Sequence, residues 1–389
     1  MDPIELIPLA DYAPPAMPTE QAFRALLKRV QRRFGAKDDH DHPLLPSGAL
    51  VRTPVPVLDD IADPPDCGPI LRTLHCNLDN WAAGAMASPR VQLIVVPACD
   101  RSGSIESWAR SQNHMLLPAP ERDDLIHSDG MAATESVDSI GEGLLVIPQL
   151  ERWFLRQRNG LTMVRTLLAR LAASQRRCLI GCDAWAWAYL AKAADASLVL
   201  PRPRTFAPFD AARLRAWFAE LAVDDGPATT FRLARNGEDV LACDDEGEPC
   251  NNWLRLLAAR SGGIPWVAWH LWRASLQVRT DDAALSDKAA STVTDDQRTV
   301  WVVDTDEFPL PSGHEERALL TLHAILTHGG LSASELDAVL PATGEASVLQ
   351  ALVDSRQLCC DRGNFSVRPT AYPAIRRALE AAGFPLGVS

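Results

Sequence analysis

Lysine, tyrosine and long apolar runs are scarce in this chain, and each scarcity limits what the protein can be. All but four of its 38 basic residues are arginines, and only three residues are tyrosines against eleven tryptophans. No apolar run approaches the roughly 20 residues that a helix needs to span a bilayer, so no transmembrane segment is predicted. The first residues, MDPIELIPLADYAPP, contain neither a basic segment nor a long apolar one. The sequence therefore predicts a cytoplasmic protein without a signal peptide.

Cysteine is present, but not in a metal-binding or disulfide pattern. The nine cysteines form no C-x-x-C pair; Cys178 and Cys182 lie at the two ends of one apolar run, and Cys359 is adjacent to Cys360. Zinc sites and disulfide frameworks use other spacings, so we expect reduced thiols. The run Asp38–Pro43 carries possible metal ligands, but short polar runs that end in proline are typical of loops. We predict neither a bound metal nor a cofactor.

The balance of charge is acidic. The formal net charge is −12 over 389 residues, which disfavours non-specific binding of nucleic acid by the whole surface but leaves room for a local basic patch. Apolar residues make up 47% of the chain, enough for two or three globular domains. The excess of arginine over lysine is typical of a GC-rich bacterial genome, and arginine also suits protein interfaces.

One strongly basic amphipathic helix is predicted near the start of the chain. It begins at Thr19, a good N-cap, and ends at Gly35, a good C-terminal stop. Its apolar residues share one face, and five cations crowd the remaining surface: Arg24, Lys28, Arg29, Arg32 and Arg33. Two interpretations stay open. The helix packs on the body with a solvated basic face, or it docks on an acidic partner or a membrane surface.

The stretch from Glu142 to Leu190 predicts the centre of the fold. A short apolar run, Leu144–Ile147, precedes a helical apolar pattern and a second apolar run, Cys178–Cys182. Strand, helix and strand at this spacing are typical of a βαβ crossover, which predicts a parallel sheet with covered faces. Further strands are predicted at Val91–Val96, Met115–Leu117 and Leu198–Leu200. Residues 121–141 and 223–250 are polar and acidic and predict surface loops.

The end of the chain predicts three helices followed by a hairpin. Ser332 and Glu335 have the spacing of a capping box at the start of the second helix. The hairpin runs from Leu358 to Val367, with its turn at Arg362 to Asn364. This order resembles a winged helix.

The order of elements as a whole resembles a P-loop ATPase of the AAA+/STAND type. The resemblance implies an α/β fold, with a parallel-sheet P-loop NTPase-like core, a helical lid and a C-terminal winged-helix domain. It divides the chain into a leader with the basic helix (1–66), the core (67–205), a lid-like region with a linker (206–298) and the winged helix (299–389).

The resemblance also assigns roles to single positions, and the residues there lack the side chains that those roles need. In the phosphate loop, Gly103 is the last glycine, Ser104 stands where the phosphate-binding lysine belongs, and Ile105 replaces the magnesium-binding hydroxyl. Pro148 and Gln149 stand where two acids should follow the strand. Nucleotide hydrolysis requires such cations, metal ligands and bases.

Two further positions also carry residues that differ from those that the resemblance implies for an active nucleotide site. Trp266 occupies the place of the sensor 2 arginine, and Asp183 lies near the sensor 1 position, where an acid would repel a γ-phosphate. Asp183 has a second interpretation as the N-cap of the tryptophan-rich helix that follows it.

These departures predict a catalytically inactive, ATPase-like regulatory or scaffolding subunit that binds a partner protein, either an active ATPase or an effector. Two alternatives stay open. A divergent active NTPase would use Arg101 and Glu151 in displaced roles, and a DNA-binding protein would act through the winged helix. In the latter, Gln350 and Arg356 are the polar groups that the third helix and its end offer to DNA.

Overall fold

The chain is described here from a computed structural model that covers residues 4–18, 49–62, 68–83, 89–100, 102–127, 137, 143–222, 228–280, 297–304, 310, 315–340 and 345–386. The predicted basic helix over 19–35 and the candidate nucleotide contact Arg101 lie outside the described residues. Packing divides the chain into two compact units. The first unit comprises residues 1, 14–65 and 208–306, and the second comprises 2–13, 66–207 and 307–389. The four predicted domains stay a prediction.

The strands of the described residues are, in chain order, β1 (Leu6–Pro8), β2 (Leu50–Arg52), β3 (Val91–Val96), β4 (Met115–Leu116), β5 (Leu145–Ile147), β6 (Cys178–Asp183), β7 (Arg204–Phe206), β8 (Ala228–Leu233), β9 (Leu276–Arg279), β10 (Gln297–Val302), β11 (Leu331–Ser332), β12 (Leu358–Asp361) and β13 (Asn364–Val367).

The α-helices of the described residues are α1 (Val55–Ile61), α2 (Gly68–Ala82), α3 (Ser104–Ser111), α4 (Arg122–His127), α5 (Thr162–Ala173), α6 (Ala184–Ala193), α7 (Ala196–Val199), α8 (Ala211–Leu221), α9 (Trp253–Ser261), α10 (Pro265–Ser275), α11 (Glu315–His328), α12 (Ala333–Val339), α13 (Glu345–Asp354) and α14 (Tyr372–Ala381).

The second unit is built on a six-stranded sheet with the order β1-β7-β3-β6-β5-β4. All neighbours pair in parallel except β1, which runs antiparallel to β7 at one edge. The central strands are largely apolar, as is typical of a parallel sheet covered on both faces; every residue of β5 is buried, as are the first five of β6. The predicted α/β fold class with a parallel sheet is confirmed.

The C-terminal part of the second unit contains the predicted helices and hairpin. Helices α11, α12 and α13 precede the hairpin of β12 and β13, and β11 joins β13 to complete a three-stranded sheet. The predicted capping box is present, since the Ser332 hydroxyl accepts the Glu335 N–H and the Glu335 carboxylate accepts the Ser332 N–H. This is the element order of a winged helix.

The first unit packs three helices against one face of a four-stranded sheet with the order β2-β9-β10-β8. Stacked aromatic rings form the centre of its core: Trp272 of α10 lies 4.9 Å from Phe218 of α8 and 5.0 Å from Phe231 of β8 between ring centroids. The residue predicted at the sensor 2 position, Trp266, belongs to this unit and lies on α10, with its ring 5.9 Å from that of Trp269.

One local prediction was wrong, and one strand lies within the predicted loop-rich insertion. Leu198–Leu200 is not a strand: Leu198 belongs to the short helix α7 with its side chain 83% exposed, and the strand comes four residues later as β7, inside a proline-rich stretch. Residues 223–250 are not loop throughout, because Ala228–Leu233 form β8. Apolar triplets carry too little periodicity to separate a helical turn from a strand.

Among the described residues, none of the helices is both long and apolar enough to cross a bilayer.

Candidate functional site

A cavity of about 530 Å³ opens at the carboxyl ends of the central parallel strands of the second unit. After β3 the chain crosses to β4, at one edge of the sheet. After β6 it crosses in the opposite direction, to β7 on the other side of β3. Neighbouring strands whose connections diverge in this way create a crevice, and open α/β sheets bind ligands there. The cavity therefore occupies the position that this topology favours for a site.

The structure brings five of the sequence-predicted positions together at this cavity. Gly103 and Ser104 follow β3, Pro148 and Gln149 follow β5, and Asp183 ends β6; all five line the cavity. Of the two candidates for displaced nucleotide contacts, Glu151 also lines it.

The loop between β3 and α3 satisfies its own backbone donors. The Ser102 N–H donates to Asp100 Oδ1 at 2.8 Å, and the Ser104 N–H donates to Ser102 Oγ at 3.2 Å. Cys99 and Gly103 adopt left-handed conformations, with φ of 62° and 61°. A phosphate-binding nest needs free N–H groups that converge on the anion. Here an acidic side chain and a hydroxyl already accept two of those donors.

The side chains at the start of α3 are part of the core. Ser104 and Ile105 are both 3% exposed. A Cβ atom added to Gly181 of β6 would lie 2.6 Å from Ile105 Cδ1 and 2.2 Å from the Pro148 carbonyl oxygen. Glycine at 181 thus lets the loop after β5 and the first turn of α3 close over β6. Ile105, at the position of the magnesium-binding hydroxyl, contributes apolar packing instead.

Two acids meet at the ends of β5 and β6. Glu151 lies in a short 3₁₀ helix, Leu150–Trp153, and its Oε2 accepts the Asp183 N–H at 3.0 Å. Asp183 Oδ1 accepts the Trp185 N–H at 2.7 Å, so the predicted N-cap of α6 is confirmed. Burial, followed by the neighbouring Glu151, raises the pKa of Asp183 to about 8. Burial also raises the pKa of Glu151, against backbone hydrogen bonds and the nearby Arg122 and Arg152.

Among the described residues, the lining of the cavity carries more acidic than basic side chains. Its lining contains one described cation, Arg362, from the turn of the β12–β13 hairpin. The acids of the lining outnumber it: Asp100, Glu106, Glu151, Asp183 and Asp361. Within the described ranges, His, Cys, Asp and Glu side chains form no group of three suited to a metal ion. Because the pKa values of Glu151 and Asp183 are raised, that of Asp183 to about 8, the neutral form of these two acids is favoured more than that of the other three.

The C-terminal helices of the same unit meet α4 and the segment after β5 in a polar cluster that the sequence did not indicate. Arg122 of α4 donates from Nη2 to the His328 carbonyl at 2.7 Å, and its Nε lies 3.8 Å from Glu335 Oε1. Arg122 is nearly buried, with a side-chain exposure of 11%. Residues 121–141 had been predicted as a surface excursion, so this arginine corrects that prediction. No local pattern marks a single arginine as buried, because its partners are about 200 residues away.

Two histidines of α11 complete this cluster. The Arg156 N–H donates to His328 Nε2 at 3.3 Å, and Arg156 Nη1 lies 3.1 Å from His323 Nδ1. Burial and the adjacent arginines lower the pKa of both histidines, that of His323 to about 4. Both imidazoles are therefore neutral at pH 7. Trp185 adds a further link, donating from Nε1 to the Tyr372 hydroxyl at 3.1 Å.

No model of a known protein family matches the chain, and no curated protein matches it in sequence. Solved structures similar to it include the Aeropyrum pernix ORC2 protein in ADPNP–ADP complexes, at 13% identity and a TM-score of 0.30, covering 95% of this chain and 96% of that one. Cdc6p from Pyrobaculum aerophilum is similar at 12% identity and a TM-score of 0.31, covering 86% and 99%. The Aeropyrum pernix ORC1 protein in complex with DNA is similar at 15% identity and a TM-score of 0.29, covering 96% and 95%.

Proposed function

We propose that this chain is an ATPase-like regulatory or scaffolding protein that does not hydrolyse nucleotide and acts by binding other proteins. The observation that carries the proposal is the loop between β3 and α3. Its Ser102 and Ser104 N–H groups bond to side chains of the loop itself, and Ser104 supplies no ammonium. A γ-phosphate at this loop would have to displace the Asp100 carboxylate and remain beside it.

The groups after β5 support the same proposal. Walker-type hydrolysis requires one carboxylate for magnesium and another for water. Pro148 and Gln149 supply neither, and the carboxylate of Glu151, three residues after Pro148, accepts the Asp183 N–H from a buried position. Moving Glu151 toward a metal would break that hydrogen bond and expose the Asp183 amide.

Partner binding is the part of the proposal that rests on composition. Tryptophan and arginine are the residue types most enriched at interface hot spots, and the chain has eleven tryptophans and few lysines. The candidate contacts remain Arg24, Lys28, Arg29, Arg32 and Arg33 of the predicted basic helix. A quintuple alanine variant of these residues should lose binding to an acidic partner while its thermal stability changes little.

Hydrolysis and loop geometry are tested together by measuring ATP turnover of the wild type and of Asp100→Ala. The variant frees the Ser102 N–H, and Asp124→Ala on α4 is the control for the loss of one acid away from the loop. We expect no turnover above background in all three proteins. Magnesium-dependent turnover by the wild type that is abolished by Glu151→Gln would contradict the proposal.

The cavity volume favours a second candidate, a divergent nucleotide-binding switch. About 530 Å³ lies within the usual range for small-molecule pockets. In this version Arg101 and Glu151 would make the displaced contacts. Saturable binding of ATP or ADP without turnover would favour this second candidate over a nucleotide-free scaffold.

A further inference from the structure

The four-stranded sheet of the first unit has one packed face and one open face. Phe231, Leu233, Val300 and Val302 alternate along β8 and β10 toward the helices and are buried, with Phe231 against Trp272. The residues between them point the other way. Side chains with at least partial solvent exposure occupy these positions, so the described helices α8, α9 and α10 lie on the other face.

Strand register places four of these outward residues in one row across the whole sheet. Arg52 of β2 pairs with Gln277 of β9, Gln277 pairs with Trp301 of β10, and Trp301 pairs with Arg232 of β8. Directly paired residues share a face, so the row carries an arginine at each edge with Gln277 and Trp301 between them. Three strand spacings separate the two arginines, roughly 14 Å along the backbone grid.

A second row runs beside the first on the same face. Arg279 of β9 pairs with Leu50, and Thr299 of β10 pairs with Thr230 of β8. The two threonine hydroxyls lie 3.3 Å apart, which confirms that these side chains point in one direction. We call the two rows together the open sheet face: Arg52, Gln277, Trp301, Arg232, Leu50, Arg279, Thr299 and Thr230.

The open sheet face is basic although the chain is acidic. Arg52, Arg232 and Arg279 are exposed, and none of them has an ion pair with an acid of the described residues. Asp239 forms a bridge with Arg232, which donates from Nη1 to the Gly237 carbonyl, so the positive charge of this face lies mainly at Arg52 and Arg279. At physiological salt, charges beyond about 8 Å are largely screened, so distant acids do not cancel this patch.

We propose that the open sheet face binds single-stranded nucleic acid. Trp301 is partly exposed, with its Nε1 atom buried, and the exposed part of its ring is the aromatic surface on which a base can stack. The arginines at the two edges and in the second row face the phosphates, while Gln277, Thr230 and Thr299 provide hydrogen-bond donors and acceptors. An unstacked base can stack on an aromatic residue that lies on a four-stranded sheet between cations. A duplex does not fit this arrangement, because its bases are stacked inside it.

An acidic protein segment is the competing occupant, and the tryptophan separates the two. Carboxylates would form ion pairs with the three arginines, but contact with the ring of Trp301 would add little to their affinity. A base gains stacking energy in any sequence, because every base has a π-face. The position of Trp301 between Gln277 and Arg232 therefore favours the nucleic acid.

The test is fluorescence anisotropy of labelled oligo(dT) and oligo(U), about 20 nucleotides long, titrated with the full chain at several salt concentrations. We expect affinity to fall with salt, with a log–log slope of about −2 for three phosphate contacts. The double variant Arg52→Ala/Arg279→Ala should make that slope shallower by about 1.4. Arg255→Ala, which removes an arginine from helix α9 of the same unit, is the matched control and should leave the slope unchanged.

Trp301 is tested by two variants whose folding is checked by circular dichroism. Trp301→Leu should weaken binding about tenfold, whereas Trp301→Phe, which keeps an aromatic ring, should stay within about threefold of the wild type. The proposal is overturned if the wild type shows no binding at low salt, if duplex DNA binds as tightly as the single strand, or if polyglutamate competes equally and Trp301→Leu has no effect. The last result would assign the face to an acidic protein.

Discussion

Replacing Asp183 by asparagine tests how the buried acid pair at the cavity affects stability. Asparagine keeps an oxygen that caps α6 through the Trp185 N–H, and it caps helices about as well as aspartate. It cannot ionise. The difference between the two proteins therefore reports the cost of a carboxyl group whose ionised form is disfavoured at this position.

The sign follows from the direction of the pKa shift. The pKa of Asp183 is raised from 3.8 to about 8 on folding, because burial and then Glu151 disfavour the charged form. The contribution of neutral Asp183 to the free energy of unfolding is fully present below pH 3.8 and is lost as the pH rises toward 8. The Asn variant should therefore gain stability relative to the wild type between about pH 4 and pH 8.

The size of the stability difference depends on how far the working pH lies above the pKa of Asp183 in the unfolded chain. Each pH unit corresponds to about 1.4 kcal/mol, so the three units between the unfolded pKa and pH 7 give a ceiling of about 4 kcal/mol. Because Asp183 borders a cavity wide enough for water, we expect about half of that ceiling, about 2 kcal/mol in favour of Asp183→Asn.

The assay is urea unfolding of both proteins at pH 5, 7 and 8. Asp183→Ala loses the cap as well and should be about 1 kcal/mol less stable than the Asn variant at each pH. Asp210→Asn, at the exposed cap of α8, is the matched control for exchanging carboxylate for amide. A variant that is less stable than the wild type by the same amount at pH 5 and pH 8 would refute the reasoning, because it would show an ionised, well-compensated Asp183.

Three further predictions concern the same unit. Arg122→Met should cost about 3 kcal/mol in urea unfolding, because Glu335 and the His328 carbonyl lose a buried donor, and Arg122→Lys should recover part of it. The pKa of His323 is lowered to about 4, so the stability that its neutral imidazole contributes is complete above pH 6.5 and is lost as the pH falls. Between pH 7 and pH 5 the wild type should therefore lose about 2 kcal/mol more stability than His323→Phe. An equal loss in the two proteins would contradict this prediction. Gly181→Ala should destabilise by about 3 kcal/mol in thermal melts, since its Cβ would lie 2.2 Å from the Pro148 carbonyl; a wild-type melting temperature would contradict this packing.

Much of the second unit could be predicted because its signals are local. The apolar strand Val91–Val96 is present as β3, and the cap residues Asp183 and Ser332 act where the sequence placed them. A cap depends on hydrogen bonds within three residues, and a central parallel strand is apolar throughout. Such features are readable from a few residues alone.

The features that the sequence did not reveal depend on long-range pairing. The open sheet face joins residues 50–52, 228–233, 276–279 and 297–302, and no periodicity links segments so far apart. The buried polar cluster likewise depends on Arg122 meeting His328, 206 residues later. Glu151 was considered by its position after the strand, but its burial follows from packing against Asp183.

The most direct test of the central proposal is calorimetric titration of the full chain with ATP and with ADP, in the presence and absence of magnesium. The loop after β3 binds its own side chains, and the cavity lining is acidic, so we predict no heat of binding at millimolar nucleotide. Tight, magnesium-dependent binding would contradict the account, because it would require the loop to release Asp100 and to accept phosphate without a lysine.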